Sequence, residues 1–216
     1  MLGIAASIVA CSPPPPSATQ LVASAIARTA TVQSAHFKLE VTKGYILVGS
    51  LQVLQAEGDV ARPDRLRVRA RAQLGGVIVE TNIVHVDGTS FLQDPFTLRW
   101  QRLTTSLLPV PLLDPERGVV RLIAAIGDPR VEGRESVDGA AGWRVSGHVH
   151  PSDVTALLGG SPAGPDVRVE AVVGDDGAVR RLVLTGAVVV GELADMTRRI
   201  EFSGFDIPVT IEAPTF

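Results

Sequence analysis

Two histidines separated by one residue are the strongest candidate for metal chemistry in this 216-residue chain. His148 and His150 stand at positions i and i+2, and the alternation of a strand would put both imidazoles on one face. Imidazole is a common zinc ligand. No third ligand lies near them in the sequence, and His36 and His85 have no companion motif. A metal-dependent enzyme is therefore an alternative only, and solvated histidines at a strand end are the simpler interpretation.

Other residue types that could do catalysis lack the required spacing. Asp175 and Asp176 precede a glycine, which turn chemistry explains, and no cleft with two opposed carboxylates is indicated for Glu132 or Glu135. Ser146 lies in no G-x-S-x-G motif, so it does not form a nucleophile elbow. The sequence therefore predicts a protein that is not an enzyme and that uses no cofactor or metal.

The single cysteine indicates a different kind of chemistry. Residues 2–10, LGIAASIVA, are apolar or small and end in Ala10 directly before Cys11. This is the layout of an export signal followed by a processing site, and it looks like a bacterial lipobox, whose cysteine is lipidated on sulfur. We expect residues 1–10 to be an export signal and Cys11 to be the lipidation site. The alternative is that Cys11 is merely a small residue in a frayed terminus.

The residues after the cysteine favour a spacer and one folded domain. Four consecutive prolines, Pro13 to Pro16, favour an extended polyproline II rod. We therefore assign residues 11–20 to a lipidated tether and residues 21–216 to a single domain. With one cysteine the domain holds no internal disulfide, so its hydrophobic core must stabilise it alone.

Composition limits the possible partners. The net charge is -3, so the chain has no strongly basic character and we expect no nucleic-acid partner. The chain is 45% hydrophobic but only 4% aromatic, so its interior is aliphatic. Aliphatic walls suit acyl chains, and an ordinary packed core would give the same composition.

The clearest structural pattern is RLRVRARAQL, residues 65–74. Apolar residues alternate with Arg65, Arg67, Arg69 and Arg71, so a strand would carry all four arginines on one side. This stripe could contact anionic lipid headgroups, or it could be a solvated outer face. Gly-Gly and Asp-Gly pairs after this strand and the next predict antiparallel hairpins.

The remaining chain predicts an α+β fold. Helical periodicity marks residues 21–31, 114–126 and 151–158, the second of them starting at an Asp114-Pro115 signal. About ten strands and three short helices, with no alternation of strand and helix, predict a strongly curved antiparallel sheet, a half-open barrel whose open side a few helices cover. Either this sheet closes on a packed core or it leaves an aliphatic hollow.

Several stretches together resemble one bacterial lipoprotein family. They are the Cys11 start with its Pro/Ser spacer, QSAHFKLEV, LLDPERGVVRLIAAIGDPRVEGRESVDG at 112–139, WRVSGHV from Trp143, and the closing GFDIPVTIEAP. These are similar to the LppX/LprA/LprF/LprG lipoproteins of mycobacteria and their relatives. The resemblance covers nearly all of the folded part.

The resemblance implies a curved sheet like that of the LolA and LolB carriers, enclosing a hydrophobic cavity for acyl chains. It implies a monomeric extracytoplasmic protein, held at the cell membrane by lipidation at Cys11, that carries a lipid or lipoglycan across the envelope, with a membrane lipid exporter as a further partner. The competing hypothesis is an envelope scaffold with a packed core and no lipid ligand. Alternation alone predicts the cavity lining: Leu66, Val68, Ala70, Leu74, Val77, Val79, Ile83, Val169, Leu184, Ile200 and Phe202.

Overall fold

The computed structural model describes residues 14–103, 112–113, 118–158 and 160–215. The expected export signal, Cys11 and the expected helix start at Asp114-Pro115 lie outside these residues. Within the described residues, no helix has both the length and the apolar character that a membrane span requires.

The described part of the chain forms three helices. α1 (Ala18–Thr31) begins three residues before its expected start, because Ser17 and Gln20 form a capping box. The Ser17 hydroxyl accepts a hydrogen bond from the Gln20 backbone N–H at 3.2 Å, and the Gln20 side chain accepts one from the Ser17 N–H at 2.8 Å. α2 (Val119–Ala124) is shorter than predicted, and α3 (Pro151–Leu158) agrees with the prediction.

Within the ranges given above, twelve strands form one sheet, compared with the ten or so expected. The two shortest strands, with three residues each, are too short for alternation to reveal them. The strands are β1 (Ser34–Thr42), β2 (Ile46–Val48), β3 (Leu51–Ala61), β4 (Arg65–Leu74), β5 (Val77–Val86), β6 (Thr89–Gln93), β7 (Trp100–Arg102), β8 (Gly127–Val137), β9 (Ala140–Val149), β10 (Val167–Gly174), β11 (Val179–Thr185) and β12 (Thr197–Ser203).

The sheet is antiparallel and open. Its order is β7-β6-β5-β4-β3-β1-β12-β11-β10-β9-β8, and β2 pairs with β3 beside this path. β1 lies between β3 and β12, so the first and last strands of the domain meet in the middle of the sheet. The curved, unclosed antiparallel sheet expected from the sequence is confirmed, with β7 and β8 as its two edges.

The inner face of the sheet carries the hydrophobic core. One row of paired residues crosses six strands and consists of Leu182, Ile200, Leu39, Ala56, Ala70 and Thr81. Helix α1 packs against β8, β9 and β10 and against α2, which in turn contacts α3. The described helices therefore cover the half of the inner face that these three strands form, and their main contacts do not extend to β3 and β4.

The outer face carries three of the four arginines of the predicted stripe, Arg67, Arg69 and Arg71. Arg65 departs from the prediction: it is half-buried and donates a hydrogen bond to the Ile211 carbonyl oxygen at 2.8 Å. Arg67 pairs with Asp59 at 2.7 Å and Arg69 pairs with Glu80 at 2.5 Å. Burial would raise the pKa of Asp59, but hydrogen bonds from His36 and Arg67 outweigh it and hold that pKa below its usual value. The carboxylates on neighbouring strands compensate these arginines, which favours a solvated face over a headgroup site.

The segment after β12 fastens the end of α1 to the sheet. The Asp206 carboxylate accepts a hydrogen bond from the backbone N–H of Gln33 at 2.7 Å and pairs with Arg28 at 2.7 Å. These two contacts, the backbone N–H first, lower the pKa of Asp206 from its usual value. The chain thus connects its first helix to its C-terminal segment through one carboxylate.

Candidate functional site

An apolar cavity lies on the inner face of β1, β3 and β4, in the half of the sheet that the helices leave uncovered. Its volume is about 110 Å³. It is lined by Phe37, Leu39, Ile46, Val48, Val53, Ala56, Val60, Ala61, Pro63, Asp64, Arg65, Leu66, Val68, Ala70, Ile83, His85, Leu112, Leu113 and Ile200. Fourteen of the nineteen lining residues are aliphatic, so most of the site can shield hydrocarbon, and its polar groups are confined to Asp64, Arg65 and His85.

Small residues on β3 and β4 create this space. Ala56 and Ala70 are directly paired across the two strands, and Gly58 lies between Phe37 and Val68. Gly58 is also required by close packing of the backbone, because a Cβ there would lie 1.9 Å from the Arg67 carbonyl oxygen. β3 has a β-bulge between Val53 and Gln55. Because of the extra residue, Val53 before the bulge and Ala56 after it both face the inner side of the sheet.

One end of the cavity is polar. His85 contacts the Asp64 carboxylate through Nε2 at 3.0 Å and the Ser90 hydroxyl through Nδ1 at 2.8 Å. The second carboxylate oxygen of Asp64 accepts a hydrogen bond from the Gly88 N–H at 2.9 Å. Ser90 is buried and does not line the cavity. These contacts join the β3–β4 turn to the β5–β6 turn at this end of the cavity.

The opposite end of the cavity is apolar. Ile46 and Val48, on the short strand β2, form its wall there. On the same strand, Leu47 points the other way and its side chain is 63% exposed. The cavity therefore extends from a hydrogen-bonded polar end to a strand whose other face is apolar and open to the surroundings.

Its present volume fits only a short piece of hydrocarbon. A cavity of about 150 Å³ in another protein holds one benzene molecule. By proportion, about 110 Å³ accommodates about four methylene groups. Burial of four methylenes contributes about 3 kcal/mol at about 0.8 kcal/mol each. A complete acyl chain requires the cavity to widen.

The structure brings five of the eleven expected lining residues together around this cavity. They are Leu66, Val68, Ala70, Ile83 and Ile200. Phe202 borders a separate small apolar pocket between the sheet and the helices. The others do not line the 110 Å³ cavity as far as the described residues define it: Leu74, Val77, Val79, Val169 and Leu184.

The reasons for these five exceptions differ. Val169 and Leu184 are fully buried in the hydrophobic core, on strands β10 and β11, beyond the cavity. Val79 is buried and Leu74 half-buried in the same core, near the end of the β4–β5 hairpin. Val77 pairs with Leu74 beside the hairpin turn, and its side chain is 56% exposed. Alternation predicted the correct face of each strand, but it could not predict how far along the sheet the cavity extends.

Sequence reasoning missed the contribution of β2 and β3. Ile46, Val48, Val53 and Val60 line the cavity, yet none was predicted to do so. The bulge in β3 interrupts strict alternation, and β2 has only three residues. The only available signal was the clustering of Val, Leu and Ile in residues 46–54.

The two histidines with metal-ligand spacing lie elsewhere, at the end of β9. Both side chains are exposed, and His150 hydrogen-bonds the Ser152 hydroxyl at 2.8 Å at the start of α3. Among the described residues, no group of three or more His, Cys, Asp or Glu side chains could hold a metal ion. Asp175, considered above as an acid/base partner, is instead paired with Arg134 at 2.6 Å, and the hydrogen bond from Arg134 lowers its pKa.

Comparisons with known proteins agree with this fold. The Mycobacteroides abscessus protein named lipoarabinomannan carrier protein LprG is 26% identical, and the match covers 92% of this chain and 85% of the relative. A Mycobacterium tuberculosis LprG is 30% identical, with 72% of this chain and 70% of the relative covered.

Solved structures with low sequence identity share the fold. LprF from Mycobacterium bovis superposes with a TM-score of 0.73 at 18% identity, over 92% of this chain and 97% of that one. LppX from M. tuberculosis superposes with a TM-score of 0.64 at 16% identity, over 89% of this chain and 98% of that one. The model of the LppX_LprAFG lipoproteins matches residues 17–211. The chain belongs to the LppX_LprAFG lipoprotein family, as its sequence motifs indicated.

Proposed function

We propose that this protein is an extracytoplasmic lipoprotein that holds acyl chains of a lipid or lipoglycan in its apolar cavity and carries them across the cell envelope. The observation that carries the proposal is the aliphatic cavity on the inner face of β1, β3 and β4. Relatives named lipoarabinomannan carriers support the lipid-carrier function in general and suggest a lipoglycan as the ligand.

The mechanism is burial of hydrocarbon without bond cleavage. Each methylene moved from water into the cavity contributes about 0.8 kcal/mol. Headgroups stay outside, because the lining offers few polar partners and a buried headgroup without hydrogen bonds would cost several times that amount. The protein acts here as a carrier and not as an enzyme.

The proposal includes attachment of the protein to the membrane through lipidated Cys11, with the proline-rich segment as a spacer. Feeding cells a radiolabelled fatty acid tests this attachment. We expect label in the wild-type chain and none in a Cys11→Ser variant. Equal labelling of both chains would refute the proposed site of lipidation.

Native mass spectrometry tests the cavity. The Cys11→Ser chain is purified from a lipid-containing host, so that any added mass is ligand and not anchor, and the bound lipid is then extracted and identified. We expect about one lipid per protein. A bare mass that stays bare after incubation with lipid would refute the carrier function and favour the scaffold hypothesis with a packed core.

A further inference from the structure

Exposed large apolar side chains are concentrated at one end of the sheet. Among the described residues, eight of the nine project from four turns at this end, and the ninth, Ile207, lies at the other. We call the eight residues the apolar rim: Tyr45, Leu47, Val77, Ile78, Phe96, Leu98, Val190 and Leu193.

The sheet order explains why these residues lie side by side. The four turns connect β6 to β7, β4 to β5, β1 to β3 through β2, and β11 to β12. These are adjacent pairs along the sheet, in the order given, and all four turns fall at the same end because every pairing is antiparallel. Each turn contributes two rim residues, so the rim follows the edge of eight neighbouring strands.

The rim residues are strongly exposed and attached to ordered backbone. The exposed fractions of Val190, Phe96 and Leu98 are 85%, 67% and 65%. The β6–β7 turn that carries Phe96 is stabilised by the Asp94 carboxylate, which accepts hydrogen bonds from the N–H groups of Phe96 and Thr97. These hydrogen bonds, the one from Thr97 first, lower the pKa of Asp94 from its usual value.

The opposite end of the sheet has a different chemistry. Its turns contain Asp87-Gly88, Asp138-Gly139 and Asp175-Asp176-Gly177. The Asp87 side chain is 65% exposed and that of Asp175 is 57% exposed. These carboxylates are paired with Arg65 at 3.4 Å and with Arg134 at 2.6 Å, so this end is polar and charged. A bilayer accepts the apolar end in preference to a charged one, which gives the domain one favourable orientation at a membrane.

We propose that the apolar rim inserts into the interfacial layer of a lipid bilayer and aligns the apolar end of the cavity with the membrane. The pattern fits a bilayer because the side chains project from four separate turns and not from one continuous face. Interfacial insertion needs only apolar tips with polar neighbours, and aromatic residues such as Tyr45 and Phe96 suit the boundary between headgroups and acyl chains.

The rim also meets the cavity at one strand. Leu47 of the rim lies between Ile46 and Val48, which line the cavity from the other side of β2. An acyl chain leaving the bilayer at β2 would therefore pass from apolar surface to apolar cavity. This inference builds on the proposed carrier function. Membrane contact of the rim is measured without any transfer of lipid, so an experiment can contradict the rim proposal and leave the carrier function standing, or the reverse.

The chain contains two tryptophans, which serve as internal probes of orientation. Trp100 pairs with Gln93 beside the β6–β7 turn of the rim. Trp143 lies near the start of β9, toward the opposite end, with Arg134 over its ring at 4.9 Å. Trp143→Phe leaves the rim probe only, and Trp100→Phe leaves the distant probe only.

The experiment uses the full chain with Cys11→Ser and vesicles of phosphatidylglycerol and phosphatidylethanolamine with brominated acyl chains, which quench nearby tryptophan. We expect quenching of Trp100 and little of Trp143. Equal quenching of both probes, or quenching of neither, would overturn the proposal.

Flotation with the same lipids without bromine measures binding. We expect Phe96→Asp and Leu47→Asp each to weaken vesicle partitioning about tenfold or more, because each removes one apolar side chain that the bilayer would bury. Ile207→Asp is the matched control, since its side chain is 58% exposed at the opposite end, and we expect it to bind as the parent does. Equal loss in all three variants, or no loss in the rim variants, would overturn the proposal.

Three further readouts separate the alternatives. Vesicle binding should persist in high salt, because salt screens charge interactions and not apolar insertion. Loss of binding in high salt would show that surface charges, and not insertion of the rim, hold the protein to the vesicle. Light scattering detects a rim that pairs with a second copy, and rim-dependent dimers without vesicle binding would overturn the proposal. Rim variants should still bind a soluble fluorescent fatty acid, because the cavity is unchanged. If the carrier function is wrong but the rim inserts, the parent protein should bind vesicles and fail to bind the fatty acid.

Discussion

Filling the cavity at Val68 should abolish most lipid binding without unfolding the protein. Val68 is buried on the inner face of β4, and its neighbours across the strands are Gly58 and Ile83. Because Gly58 has no side chain, a tryptophan at position 68 can extend over it into the cavity. The indole ring then occupies space that about four methylenes would fill.

The expected loss follows from the volume. Four methylenes at about 0.8 kcal/mol each give about 3 kcal/mol, which corresponds to about 100-fold weaker binding. Titration of the Cys11→Ser chain with a fluorescent fatty-acid analogue measures this ratio for Val68→Trp against the parent. Overpacking should lower the free energy of unfolding by about 1–3 kcal/mol, which urea denaturation measures.

Val77→Trp is the matched control. It introduces the same side chain on the same face of the neighbouring strand, but at a position that is 56% exposed and outside the cavity. We expect its affinity for the soluble analogue to equal that of the parent. A folded Val68→Trp variant with parental affinity would refute the assignment of this cavity as the lipid site.

Three further predictions concern stability. Gly58→Ala should lower the free energy of unfolding by about 2 kcal/mol or more, because the new Cβ would lie 1.9 Å from the Arg67 carbonyl oxygen; an unchanged urea midpoint would contradict this. Glu192→Gln should cost about 3 kcal/mol, because it leaves the guanidinium of Arg198, only 1% exposed, without its charged partner; a loss below about 1 kcal/mol in urea would indicate another compensating group. The pKa of Asp206 is lowered by its hydrogen bonds to the end of α1, so its contribution is present above the usual carboxyl pKa and disappears as pH falls through the lowered value. Asp206→Asn should therefore reduce stability by at most about 1 kcal/mol at pH 7 and by nothing at the most acidic pH at which the fold persists, and an equal loss at both pH values would contradict the assignment.

The sequence by itself determined the family, the type of sheet and the faces of most strands. The run from Arg65 to Leu74 has strict alternation. The structure exposes Arg67, Arg69 and Arg71 and buries Val68, Ala70 and Ala72 between and after them, whereas Arg65, at the start of the strand, is half-buried and borders the cavity. This works because side chains on a strand alternate between two faces, so a pattern of period two contains the necessary information. The Asp-Gly and Gly-Gly pairs located the hairpins for the same local reason, since tight turns require residues that adopt positive φ.

Only the tertiary structure decided where on the inner face the cavity lies. Val169 and Val68 both alternate correctly, yet α1 packs against the half of the sheet that holds Val169 and leaves Val68 beside the cavity. The position of a helix over a sheet depends on packing contacts between segments that are far apart in the sequence, and the pattern within one strand contains no information about those contacts. The bulge in β3 was likewise not predictable from alternation. The inserted residue reverses the alternation, so that Val53 and Ala56, three positions apart, both face inward.

The sequence also did not predict that the residues of the apolar rim lie together. Leu47, Val77, Phe96 and Val190 are far apart along the chain, and each alone is an ordinary exposed apolar residue. They become one surface because antiparallel pairing brings alternate turns to the same end of the sheet. Local chemistry thus determined the strands and turns, and the strand order, which depends on contacts between distant segments, determined which turns lie together.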